Sequence, residues 1–320
     1  MKAAIIPQLG AVPQYGDFPE PVPEAGETLI SVEATVLEHF DRLVARGDHY
    51  SSRTHFPACP AIVGNDGVGL TPEGQRVVFG KIRAPYGAFA EKAAAGYVFP
   101  IPDGIDPGWA AAMLPAVLTS LLPLKYTAGL KKGASVWIHG ATGVSGRIAV
   151  QVAKMLGAGH VTGTGRNAAS LELLGTLGAD EVINLQQPED QLRAAFMRSQ
   201  ARNNFDIVLD FLWGAPAEQL IQTFIPATVG FAEKEIVYLQ IGQMAGTHLS
   251  LPAAALRTSG LKIMGMGSIA PEDFTREIDG LWTPIAQDRF YMEIEQWPLS
   301  AIAAAWQQTD LHGKRIVIRP

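Results

Sequence analysis

Cysteine is nearly missing from this 320-residue chain: Cys59 stands alone, so no intrachain disulfide can form and no cysteine cluster is at hand for a structural zinc site. A lone thiol suits a reducing compartment, and the cytoplasm is the expected location. Excess positive charge is lacking as well, with 25 Lys and Arg against 31 Asp and Glu and a formal charge of -6. That balance leaves nucleic acid and anionic membranes outside the expected partners. The longest apolar stretch, Ala110 to Leu124, is broken by Pro115, Thr119, Ser120 and Pro123 and falls short of the roughly 20 residues that span a bilayer. The N-terminal MKAAIIPQLG holds too short an apolar run for a signal peptide. What is present, 48% hydrophobic and 18% charged residues, is the composition of a globular protein, and the length favours two domains.

The first third reads as short strands divided by glycine and proline. Thr28 to Leu37 alternates with period two, and Ala61 to Leu70 and Arg76 to Phe79 are compact apolar runs. Pro7 to Gly26 reads as a looping connection, and Asp106 to Leu130 as helical, broken into two near Pro123. From Ala134 strands and helices alternate. Strands are expected at Ser135 to His139, His160 to Gly165, Glu181 to Asn184, Asp206 to Asp210 and Ile236 to Ile241, with helices starting near Ser145, Ala168, Pro188 and Ala215. Such βα units predict an α/β fold with a doubly wound parallel sheet, whose ligands sit beyond the carboxyl ends of the strands. The remainder carries a strand at Leu261 to Met264, helices around Pro271 to Gln287 and Leu299 to Gln307, and a closing strand at Arg315 to Ile318.

Between the first of those strands and its helix stands Gly140-Ala141-Thr142-Gly143-Val144-Ser145-Gly146, a G-x-x-G-x-x-G turn. A strand-to-helix turn aims orphan backbone N–H groups and the helix dipole at one point, where a pyrophosphate can bind without a cationic side chain. Tight packing alone also selects glycine there. About 20 residues beyond such a turn, a dinucleotide fold places the group that meets the adenosine ribose. Here that segment ends in Gly165-Arg166-Asn167, and Arg166 offers a fork of donors suited to a 2′-phosphate, which favours NADPH over NADH. An ordinary solvated loop arginine is the competing reading. No G-x-x-x-x-G-K-[ST] occurs, which excludes a P-loop, and no Tyr precedes a Lys by four residues, which counts against a short-chain dehydrogenase.

The chain resembles the zinc-independent, quinone oxidoreductase-like branch of the medium-chain dehydrogenase/reductase superfamily. The residues that carry the resemblance are Ser135 to Lys154, the LGAD of Leu177 to Asp180, Phe205 to Gly214, and the closing GKRIVIRP from Gly313. It implies a Rossmann-type sheet inserted into a GroES-like β-barrel catalytic domain: residues 1–118 and 255–320 for the barrel domain, 119–254 for the NADP-binding domain. It implies an NADPH-dependent enzyme with a small-molecule substrate, and a homodimer. Zinc-dependent relatives carry ligands where Glu38, Asn65 and the vicinity of Pro115 stand here, and none of these supplies a comparable ligand, so no metal is expected. The resemblance also places Thr119, Leu212, Ile241, Gly242, Met266, Gly267 and Ser268 around the nicotinamide, although packing at strand ends selects similar residues.

Without a Lewis acid, the substrate oxygen must manage its charge by hydrogen bonding and protonation, which suits quinones and α,β-unsaturated carbonyls better than simple ketones. The catalytic candidates are Glu38, Asp41 and Tyr50. Glu38 stands where the family usually has Asn, and if buried would need a partner, with Arg42 in reach on a helix. Asp41 has a second reading as the cap of the helix running to Arg46. Tyr50 resembles the proton-donating tyrosine of enoyl reductases but stands one residue later than that pattern, and is otherwise a loop aromatic. Two other functions stay open: an NADPH-binding protein with weak or no catalysis, and a zinc-free alcohol or aldehyde oxidoreductase.

Overall fold

The structure, a computed structural model, describes residues 1–226, 230–232, 234–309 and 311–320. The chain divides into two compact units, Met1–Pro115 with Thr275–Pro320, and Ala116–Phe274.

In the first unit β1 (Lys2–Ile6) lies antiparallel between β2 (Gln14–Asp17) and β4 (Ala61–Ile62). The stretch expected to be only a loop, Pro7 to Gly26, therefore holds a strand, because the partner edge of β1 supplies a ladder that Gln14 to Asp17 could not announce by itself. After β3 (Thr28–Leu37) come α1 (His39–Arg46) and the one-turn α2 (Ser52–His55). The compact apolar run from Ala61 to Leu70 forms two strands, since Gly64 at φ +97 turns the chain between β4 and β5 (Asp66–Leu70). β6 (Arg76–Ile82) and β7 (Lys92–Pro100) follow, and β3 pairs with both β5 and β7, closing a small antiparallel barrel. The barrel is packed with Ile30, Val77 and Phe79.

Next, α3 (Pro107–Leu122) runs as one helix through Pro115 and continues into a π-helical turn at Pro123–Thr127, rather than breaking into two helices. Nearly every face of it is buried, which explains its uniform apolarity. Pro107–Thr127 is long and apolar enough by composition to cross a membrane, but 78% of its apolar window is buried in the protein.

The second unit is built on β8 (Ser135–His139), α4 (Val144–Met155), β9 (His160–Gly165), α5 (Ala168–Thr176), β10 (Glu181–Asn184), α6 (Glu189–Asn203), β11 (Ile207–Asp210), α7 (Gly214–Gln222), β12 (Ile236–Gln240), α8 (Ala253–Thr258) and β13 (Leu261–Met264). Its six strands are parallel in the order β10-β9-β8-β11-β12-β13. That is the dinucleotide-binding order, with its switch point between β8 and β11. Trp137, Phe196 and Phe205 meet edge to face in the core beneath the sheet. Strand β13 lies on the open edge of β12, so the nucleotide unit extends to Phe274, past the boundary at residue 254 expected from the sequence.

After α9 (Pro271–Ala286), the chain adds β14 (Glu293–Pro298), a 3-10 turn at Leu299–Ala301, α10 (Ile302–Trp306) and β15 (Lys314–Arg319). β15 pairs antiparallel with β3, which joins the C-terminal tail to the barrel of the first unit. β14 was not expected; it pairs in parallel with β15, and Trp297 packs against the core there.

Candidate active site

In the second unit, the turn after β8 is shaped by contacts that only glycine permits. Gly140 has φ +90, and a Cβ on it would lie 2.9 Å from the Leu212 side chain, so two of the expected contact residues meet across the switch point. A Cβ on Gly146 would sit 2.3 Å from the Gly140 carbonyl oxygen, and one on Gly165 would sit 2.2 Å from the Thr142 methyl carbon. Gly143 differs. It is the N-cap of α4, no side chain caps it, and a Cβ there would have no protein atom within 4 Å. The N-terminus of α4 is thus uncapped and has open space beside Gly143, which fits a pyrophosphate.

Two side chains that sequence reasoning missed brace this turn. Arg147, buried at 5% exposure, donates from Nε to the Thr142 carbonyl at 3.1 Å and from Nη2 to Ser170 Oγ at 2.9 Å, joining the glycine turn to the start of α5. Thr164 Oγ1 accepts from Gly140 N at 3.1 Å and lies 2.9 Å from Nδ1 of the fully buried His139, whose pKa burial lowers. The backbone N–H of Ala141 donates to the Thr164 carbonyl. An arginine inside an otherwise apolar helix face was the available signal for Arg147.

At the end of β9, Arg166 is exposed and makes no hydrogen bond or ion pair among the described residues. Asn167 is the N-cap of α5, its Oδ1 accepting from Ser170 N at 2.9 Å. Across the switch point, buried Asp210 accepts from Leu212 N at 2.8 Å, Trp213 N at 3.2 Å and the Tyr238 hydroxyl at 2.8 Å. Its carbonyl accepts from both Ile241 N and Gly242 N. One residue thereby sets the position of three expected contact residues. Burial, aided by Asp210, holds the Tyr238 hydroxyl well above its ordinary pKa, so it remains a donor. Thr119 is half-buried in α3. Met266, Gly267 and Ser268 form an exposed turn to which Thr127 Oγ1 donates at the Met266 carbonyl.

The first unit contains a cavity of about 410 Å³, lined among others by Phe40, Asp41, Asn65, Asp66, Lys81 and Tyr97. Glu38, the N-cap of α1, stands just before the lining residues Phe40 and Asp41. Glu38 Oε1 receives Nη1 of Arg315 at 2.7 Å. This corrects the expected pairing with Arg42, whose Nη2 instead donates to the Ala305 carbonyl at 3.3 Å. Asp41 is the third residue of the helix rather than its cap: one carboxyl oxygen accepts from Glu38 N at 2.7 Å and the other from Asn65 Nδ2 at 2.9 Å. Burial, then the charge of Glu38, raises the Asp41 pKa well above the ordinary range.

The same two causes push Asp66 up to about 7, with Arg315 opposing. Burial and then the Asp66 charge raise Tyr97 to about 12. Tyr50 lies outside the residues lining this cavity. It is 96% exposed, with its ring against His49 at 4.1 Å. Among the described residues no three His, Cys, Asp or Glu side chains are grouped to hold a metal ion.

Residues 145–279 match the family described as zinc-binding dehydrogenase, a stretch that lies almost wholly in the nucleotide unit. A probable NADPH-dependent quinone reductase of Emericella nidulans is 28% identical over 368 residues, covering 100% of each chain. A chloroplast envelope quinone oxidoreductase homolog of Arabidopsis thaliana is 33% identical over 219 residues, spanning 63% of this chain and 64% of its own length. The crystal structure of Escherichia coli quinone oxidoreductase, complexed with NADPH, shares the fold with a TM-score of 0.84 at 20% identity, over 100% of both chains. With a closed antiparallel barrel in one unit and a six-stranded dinucleotide-binding sheet in the other, the chain has the fold of the quinone oxidoreductases and is similar over its full length to a probable NADPH-dependent quinone reductase.

Proposed function

We propose that this chain is an NADPH-dependent, zinc-independent oxidoreductase that transfers hydride to a quinone or an α,β-unsaturated carbonyl compound. The observation that carries the reading is the glycine turn: an uncapped helix N-terminus kept open at Gly143, followed at the end of the next strand by exposed Arg166. In this reading the turn Gly140-Ala141-Thr142-Gly143-Val144 holds the pyrophosphate. Arg166 takes the 2′-phosphate, while Gly165 and Asn167 shape the adenosine end. Thr119, Leu212, Ile241, Gly242 and Met266 to Ser268 flank the nicotinamide, which when bound supplies the hydride. The single cysteine and the resemblance to the quinone oxidoreductase-like branch favour a cytoplasmic homodimer.

The donor set of the first unit's cavity supports the acceptor class. It offers carboxyl groups held toward their neutral form and a neutral tyrosine, which can hydrogen-bond and protonate an oxygen, and no grouped metal ligands among the described residues. Conjugated acceptors spread the charge that such donors must meet. The test is anaerobic NADPH oxidation against quinones, enals, enones, saturated aldehydes and simple ketones, with cofactor binding measured in parallel. Turnover confined to conjugated acceptors is the expected result. Turnover on saturated aldehydes alone would favour an alcohol or aldehyde oxidoreductase, and binding without turnover would favour a non-catalytic nucleotide-binding protein.

A further inference from the structure

The barrel brings together two groups from separate strands, neither of which any sequence motif singles out. Asp66 opens β5, where the register sets it opposite Gly80 of β6, and Gly80 in turn stands opposite Tyr97 of β7. Because Gly80 has no side chain, the tyrosine fills the gap in this row: a Cβ on Gly80 would sit 2.3 Å from the Tyr97 hydroxyl oxygen. Asp66 and Tyr97 therefore face one side of the barrel, and both line its cavity.

The cavity's two aspartates are not equivalent. Asp41 is 5% exposed and both of its carboxyl oxygens are engaged, by Glu38 N and Asn65 Nδ2. Asp66 is only half-buried, and its carboxyl group receives no hydrogen bond among the described residues, so it is open to a ligand in the cavity. We propose that Asp66 is the proton donor of the reaction, giving its proton to the substrate oxygen as hydride adds to the conjugated system. The proposal rests on the reading of the chain as a reductase.

The step balances. Hydride from NADPH brings two electrons to the acceptor, whose oxygen takes up the negative charge. The Asp66 O–H bond breaks, an O–H bond forms on the enolate or hydroquinone oxygen, and the Asp66 carboxylate regains a proton from solvent. The charged and titratable groups around it suit that cycle. Glu38 and Asp41 come from α1 and its cap, His55 from α2, Lys81 from β6, Tyr97 from β7 and Arg315 from β15. Burial and the charge of Glu38, opposed by Arg315, leave Asp66 titrating near 7, where it can both release and regain a proton.

The test compares wild type with Asp66→Asn, which keeps the size and an N–H donor but has no proton to give. Three quantities are read across the neutral range: acceptor reduction, NADPH binding, and the carboxyl 13C titration of aspartate-labelled, cofactor-free protein. Expected are a wild-type rate that falls as pH rises through about 7, and a carboxyl resonance with that midpoint which disappears in the variant. The variant should turn over about a hundredfold or more slowly, with a flat profile and unchanged NADPH binding. A wild-type reductase whose variant keeps its rate and profile overturns the assignment of Asp66 alone, as does an Asp66 resonance titrating in the ordinary carboxylate range. Wild-type protein that binds NADPH yet reduces no acceptor overturns the functional reading beneath it.

Discussion

Arg315, in the last strand, holds Glu38 at the start of the first helix through an Nη1 to Oε1 contact of 2.7 Å, across 277 residues of sequence. Arg315 is nearly buried, so its charge is poorly screened and the pair is worth more than a surface bridge. Arg315→Leu is expected to destabilise the protein by about 1.5 to 3 kcal/mol, the range for hydrogen bonds to charged groups. It also removes the Arg315 charge that lowers the Asp66 pKa, so the fall in activity should shift to higher pH. Denaturant unfolding and a pH profile of the same variant check both parts.

Two glycines of one turn separate packing from binding. Gly146→Ala places a methyl 2.3 Å from a backbone oxygen and should cost about 1 to 3 kcal/mol of stability. Gly143→Ala meets no protein atom, so stability should hold while NADPH affinity falls at least about tenfold. Thermal melts with and without NADPH distinguish the two.

Arg166→Ala should weaken NADPH by roughly ten- to a hundredfold and leave NADH nearly unchanged, because only the 2′-phosphate loses its partner. Equal losses in titrations of the two cofactors would show that the arginine does not read that phosphate.

Stability should also depend on pH through Asp66. Its folded pKa lies above that of the unfolded chain, so between the ordinary carboxylate range and about 7 the folded state holds a proton that the unfolded state has released. Stability from this group is therefore present below that window and is lost as pH rises through it. Asp66→Asn abolishes the dependence. The melting temperature of the variant should exceed that of wild type above neutrality, and the difference should shrink in acid.

The nucleotide unit is largely legible in the sequence because each βα unit carries its own signals: apolar strands, helix starts and, after β8, glycine at the turn. The barrel unit is less so. Lys92 to Gly96 reads KAAAG, residues poor in strand propensity, and becomes part of β7 only through its pairing with β3 and β6. Glu38's partner came from the far end of the chain rather than from Arg42 four residues on, because helix spacing predicts only local neighbours. Asp66 carries no local mark of an acid; its setting arises from a cross-strand row with Gly80 and Tyr97 that only the closed barrel creates.

The most direct test of the central claim is anaerobic mixing of the chelator-treated protein with NADPH and a quinone or enone, following both reactants. The expected result is consumption of NADPH and acceptor mole for mole, with no loss of rate on chelation. NADPH that binds but is consumed with no acceptor, or a rate that vanishes on chelation and returns with zinc, would contradict it.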